Sequence, residues 1–197
     1  MTAAVAQPEP PHPPVALVGF MGAGKSAVGR ALAGILGLPF VDTDVLVASQ
    51  EGPIADIFER RGEAAFRVVE RDVTVAAVAR ALEDPVVLAL GGGSVLSDGV
   101  RASLRDLPDV VWLTASPHVL WERVSRAGPE TRPLARDEAG FMRLLERRVG
   151  LYDGVSTLVV ENDGSRAPEA IAAEIAVLVA VRRAAGGQIA GGEGGRG

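Results

Sequence analysis

The chain has 197 residues, a net charge of −5, no cysteine and two histidines, and all but one of its 20 basic residues are arginine. This length suits one domain, the 48% apolar content excludes a disordered chain, and the acidity argues against a nucleic-acid binder. Zero Cys removes disulfides, thiolate nucleophiles and Cys-based zinc, while His12 and His118, far apart in sequence, argue against a His-based metal site or a Ser-His-Asp triad.

In chain order, residues 1–14 come first, with five prolines between Pro8 and Pro14 and neither the basic nor the apolar region of a secretory signal. They are expected to form a disordered extension. A single ordered domain is expected over 15–183, followed by a Gly-rich disordered tail over 184–197. Short Val- and Leu-rich runs lie at 15–18, 39–41, 86–90, 110–113 and 157–160. They are near-continuous rather than alternating, as in strands buried on both faces. Between them lie helical patterns at 25–36, 54–60, 64–82, 100–106, 117–124, 138–151 and 168–181. This alternation predicts an α/β fold, with five parallel strands in a central sheet and helices on both faces. No run reaches the roughly 20 apolar residues of a membrane helix. The chain therefore reads as soluble and cytoplasmic, without membrane or nucleic-acid partners.

Ligands of such sheets bind beyond the carboxyl ends of the strands. After the first strand stands GFMGAGKS, residues 19–26, which matches G-x-x-x-x-G-K-[ST]. Its glycines let backbone N–H groups converge on phosphate, and the helix that follows aims its positive end at the same anion. Lys25, the single lysine, would reach the β- and γ-phosphates and Ser26 would hold Mg²⁺. After the second strand come Asp42 and Asp44. One suits Mg²⁺ and the other an acceptor hydroxyl, although an N-cap and a first-turn acid would also use Asp. After the third strand come Gly91, Gly92 and Gly93, which permit close backbone approach to a ligand. Arg67 and Glu70 share a helix face, as a ligand contact or a surface ion pair. Arg132 lies in an irregular Arg-, Gly- and Pro-containing stretch, about 125–137, that suits a mobile lid. Arg148 lies on the next helix.

Together these pieces resemble the shikimate kinases. The matching segments are GFMGAGKS at 19–26, FVDTD at 40–44, IADIFERRGEAAFRVVE at 54–70, LGGG at 90–93, RPL at 132–134 and RRVGLY at 147–152. The resemblance implies a three-layer P-loop kinase fold and transfer of the ATP γ-phosphate to the 3-hydroxyl of shikimate. By position, it implies that Gly22, Ala23, Gly24, Lys25, Ser26 and Ala27 hold ATP phosphates, with Ser26 and Asp42 toward Mg²⁺. Asp44 would meet the shikimate hydroxyls as candidate base. Arg67 and Arg148 would hold its carboxylate, with Glu70, Gly91, Gly92, Gly93, Phe58 and Phe66 around it. Arg132 would reach the phosphates. Adenine would lie between Arg123 or Arg126 and the segment from Arg166 to Pro168. Ala27 departs from a second hydroxyl usual in the family, and Gly150 from a proline. A monomer is expected. The alternatives are a kinase for another small hydroxy-acid such as gluconate, which would not need this whole set, and a non-catalytic nucleotide-binding module.

Overall fold

The computed structural model describes residues 12–126 and 137–190, with side chains to residue 185. Five strands, β1 (Val15–Val18), β2 (Phe40–Asp42), β3 (Val87–Ala89), β4 (Asp109–Thr114) and β5 (Leu158–Glu161), form one parallel sheet in the order β2-β3-β1-β4-β5. Among the described residues seven α-helices connect or follow them: α1 (Lys25–Leu36), α2 (Thr43–Glu51), α3 (Ile54–Glu83), α4 (Asp98–Leu104), α5 (Pro117–Arg126), α6 (Glu138–Asp153) and α7 (Pro168–Ala190). The expected five-stranded parallel sheet is present. The predicted lid falls almost wholly on residues 127–136, and Arg132 with it, outside the described residues.

Burial explains the order of the strands. Successive strand residues face opposite sides of a sheet, and all four residues of central β1 are buried, so helices cover both faces there. Val28, Leu32 and Leu36 of α1 meet the same core as Ile171, Ile175 and Val179 of α7, and the two helices pack together. Each such side chain contributes roughly 1.5–3 kcal/mol by leaving water. The edge strands differ from the expectation of strands buried on both faces. β2 is only half-buried, and Val159 of β5 is 52% exposed. An edge strand has a sheet neighbour on one side only, so continuous Val and Leu do not ensure burial.

Three further differences concern boundaries. The segment after β2 is a helix, α2, whose N-cap is Asp42. The patterns at 54–60 and 64–82 fall within α3, but the expected break is real. Gly62 sits at φ 78° and ψ 171°, a conformation for glycine, and kinks the helix there. α7 runs on to Ala190, past the boundary placed at Arg183 and into the Gly-rich segment expected to be disordered. Nor is the end of the N-terminal extension without contact, because Pro13 accepts a hydrogen bond from Arg183 at 3.2 Å. The same arginine and Arg182 pair with Asp109, which is fully buried at the start of β4.

Candidate active site

The carboxyl ends of β1, β2 and β3 bring the glycine loop, Asp42 to Asp44 and Gly91 to Gly93 together. At the first, Gly22 and Gly24 have φ of 83° and 89°, while Ala23 between them has the ordinary negative φ. That alternation turns successive backbone N–H groups to one side, as an anion requires. The Lys25 ammonium lies over the loop and donates to the Gly19 and Phe20 carbonyls at 2.8 and 3.1 Å. The positive end of α1 begins at the same place.

Asp42 caps a helix and also faces the glycine loop. One carboxylate oxygen accepts from the Asp44 N–H at 3.0 Å and caps α2, and the other accepts from the Ser26 hydroxyl at 2.6 Å. Ser26 and Asp42 thus set two hard oxygen donors side by side at the phosphate loop. Among the described residues no cluster of three or more His, Asp or Glu is placed to hold a metal. A hydroxyl and one carboxylate suit a small hard cation that keeps waters and takes phosphate oxygens for the rest of its shell.

Asp44, Glu70 and Arg67 converge on the triple glycine. A methyl group on Gly91 would overlap the Asp44 carboxylate and stand 2.8 Å from Glu70 Oε1. One on Gly93 would overlap the Arg67 guanidinium, and one on Gly92 would stand 3.2 Å from the Met21 nitrogen of the phosphate loop. The three glycines let the backbone pass between groups of opposite charge. Thr43, absent from the sequence reading, fixes this turn by accepting from the Gly91 N–H at 2.9 Å.

Arg67 donates to Glu70 at 2.5 Å and to Glu63 at 3.1 and 3.3 Å. Burial disfavours its charge, but Glu70 and Glu63 outweigh that and hold its pKa above the ordinary value. Glu70 is 3% exposed. Burial pushes its pKa up, against the attraction of Arg67 and with help from the charge of Asp44. The two partners differ because Arg67 has two carboxylates and a fifth of its side chain in water, whereas Glu70 has one cation and almost no water. Arg148 is also 3% exposed, lies over the Phe20 ring and donates to the Gly92 carbonyl at 3.0 Å. Burial lowers its pKa, only partly opposed by Tyr152. Tyr152 donates to the same carbonyl at 2.6 Å, and burial raises the pKa of its phenol. The sequence offered only the aromatic after Gly-Leu as a signal for Tyr152. Phe58 and Phe66 pack with ring centroids 4.7 Å apart, across the kink at Gly62.

A cavity of about 430 Å³ runs from Gly22, Gly24 and Ala27 past Arg126 to Arg166 and Pro168. Of the two arginines considered for adenine, Arg126 reaches toward Glu122 on its own helix, whereas Arg123 turns to the Gly22 carbonyl. Arg166 bonds the Glu161 carbonyl and pairs with Glu174.

Known proteins share this architecture. The sequence model described as shikimate kinase matches residues 21–180. A shikimate kinase of Ruegeria pomeroyi is 42% identical over 177 residues, 87% of this chain and 87% of that one. One of Brucella canis is 40% identical over 171 residues, 84% of this chain and 82% of that one. Among solved structures, shikimate kinase from Acinetobacter baumannii in complex with shikimate superposes with a TM-score of 0.81 at 33% identity, over 88% of this chain and 96% of that one. A gluconokinase from Sinorhizobium meliloti, with a TM-score of 0.59 and 22% identity over 91% of this chain and 97% of that one, shares the fold. The family match over most of the chain decides what the fold alone does not, and this chain belongs to the shikimate kinase family.

Proposed function

We propose that this protein transfers the γ-phosphoryl group of ATP to the 3-hydroxyl of shikimate, giving shikimate 3-phosphate and ADP. The observation that carries the reading is Arg148. The residue is 3% exposed and its guanidinium forms no ion pair among the described residues, yet it lies near a second cation, Arg67. A buried unpaired charge is costly to a fold. A substrate carboxylate offsets that cost, and a planar fork suits it. Asp44 lies against the neighbouring Gly91 and offers the opposite charge to hydroxyl groups. Shikimate carries a carboxylate at one end and hydroxyls at the other.

The reaction forms a bond between the acceptor oxygen and the γ-phosphorus and breaks the bond from that phosphorus to the β–γ bridging oxygen. In this reading Asp44 orients the attacking hydroxyl and accepts its proton. Lys25 and the N–H groups of residues 22–26 neutralise the phosphates, which matters most in a loose phosphoryl-transfer transition state. Ser26 and Asp42 would hold Mg²⁺, which when bound supplies charge neutralisation at the β- and γ-oxygens. By sequence resemblance Arg132 adds a second cation there, and Arg126, Arg166 and Pro168 border the adenine. The test is ADP release coupled to a dehydrogenase, with ATP, Mg²⁺ and either shikimate or gluconate. Turnover with shikimate supports the reading, and turnover with gluconate alone overturns it.

A further inference from the structure

An anion loop that turns its N–H groups inward must turn its carbonyls outward, and buried carbonyls need donors. In this chain two side chains from distant elements supply them. Arg123 of α5 donates through Nη1 to the Gly22 carbonyl at 3.0 Å. Its Nη2 donates to the carbonyl and side-chain oxygens of Asn162 at 3.1 and 3.2 Å. Asn162 in turn donates through Nδ2 to the Ala23 carbonyl at 2.9 Å. The asparagine is 7% exposed and is fixed to the sheet, because its own N–H donates to Thr114 of β4 at 2.7 Å. The fit is close. A methyl on Gly24 would stand 2.6 Å from Asn162 Nδ2, and one on Gly164 would stand 2.9 Å from Arg123 Nη2.

We propose that Arg123 and Asn162 are positioning residues for nucleotide. They brace the outer carbonyls of residues 22 and 23 so that the N–H groups of the loop are held in place for phosphate. This rests on the reading of residues 19–26 as a phosphate cradle. It separates Arg123 from the other arginine of α5, Arg126. A fork that serves two backbone carbonyls and one amide oxygen is committed to the loop and is not free to stack on a base. A lysine at 123 could serve only one of these acceptors well.

The test is calorimetric titration of Mg·ADP, without shikimate, into Asn162→Ala and Arg123→Lys, with shikimate titrated separately in the absence of nucleotide. Each loop hydrogen bond contributes up to about tenfold in affinity. We expect both variants to bind ADP about tenfold more weakly, to show a similar rise in KM for ATP, and to bind shikimate within about twofold of wild type. ADP affinity within about twofold of wild type in either folded variant overturns the proposal. So does an equal loss of ADP and shikimate affinity, which marks a general weakening of the fold. If Asn162→Ala fails to fold in a urea titration, Arg123→Lys decides alone. Wild-type protein that binds ADP but does not phosphorylate shikimate overturns the substrate assignment and leaves the brace standing; failure to bind ADP overturns both.

Discussion

Glu70 gives the sharpest test of how this site divides its charges. In Glu70→Gln the side chain keeps its shape and one acceptor oxygen for Arg67 but loses its charge. A hydrogen bond between two charged groups is worth roughly 1.5–3 kcal/mol and a neutral one about 1, so about 1 kcal/mol is lost at Arg67. Two effects offset it. An amide costs less than a carboxylate to bury at 3% exposure. Glu70 Oε1 also crowds the same side of Gly91 as the Asp44 carboxylate, so an amide nitrogen there would replace repulsion with attraction. Net stability at pH 7 should change by less than about 1 kcal/mol, or a few degrees in Tm for a domain of this size. The pH dependence has a definite sign. Burial, opposed by Arg67, raises the Glu70 pKa above its ordinary value of 4.5. The folded protein therefore binds the proton more tightly, and the stability this adds is present below 4.5 and lost as pH rises through the raised value. Scanning fluorimetry from pH 4 upward should show the variant gaining on the wild type over that window and then holding a constant difference. Meanwhile Arg67 loses one of its two charged clamps, and the KM for shikimate should rise about five- to tenfold with kcat little changed. A Tm loss of more than about 8 °C at pH 7, a difference independent of pH, or an unchanged KM would refute this account.

Gly93→Ala places a methyl group on the Arg67 guanidinium, so steady-state kinetics should show at least a tenfold rise in KM for shikimate with KM for ATP unchanged. Arg148→Met removes a buried cation that forms no ion pair among the described residues. It should leave Tm equal or higher while isothermal titration shows shikimate binding weakened by about tenfold or more. Asp109→Ala strands Arg182 and Arg183, both partly wet, so the cost is about 3 kcal/mol and fluorimetry should show Tm lowered by roughly 6–12 °C. Because Asp109 begins β4, at the sheet end away from the site, KM values at 20 °C should not move.

The strand ends were legible because phosphate chemistry constrains the backbone, and glycine marks that constraint in sequence. G-x-x-x-x-G-K-S, Asp42 with Asp44, and Gly91 to Gly93 fell at the strand ends that meet. The helix α2 was not legible. Its sequence, TDVLVASQE, holds β-branched and hydroxyl residues of modest helix propensity. The Asp42 cap is local and was within reach of the sequence, but the packing of Leu46 and Val47 with Ile57 and Phe66, which fixes the helix in place, is a tertiary fact. Asn162 was invisible for a similar reason. It is an ordinary residue after an edge strand until the fold brings the Ala23 carbonyl to it. Gly186 and Gly187 read as part of a disordered tail, yet α7 continues through them.

The single lysine sharpens the same point, because the arginines separate by what accepts from them. Arg67 meets carboxylates, Arg123 meets carbonyls, and buried Arg148 meets a carbonyl and a phenol. Lys25 is different in geometry. Its one nitrogen donates to two carbonyls of the same tight loop, Gly19 and Phe20, within 3.1 Å of each. Three donors on a point charge can exchange a carbonyl for a phosphate oxygen by rotating about one bond. A guanidinium is wider, and its donors lie in a fixed plane, so it cannot turn in the space between the loop and a phosphate. Lys25→Arg, though it keeps the charge, should therefore lose nearly as much kcat as Lys25→Ala, about 10²–10³-fold, in a protein whose Tm is unchanged. If Lys25→Arg keeps more than about a tenth of the wild-type kcat, charge alone suffices at this position and the geometric argument fails.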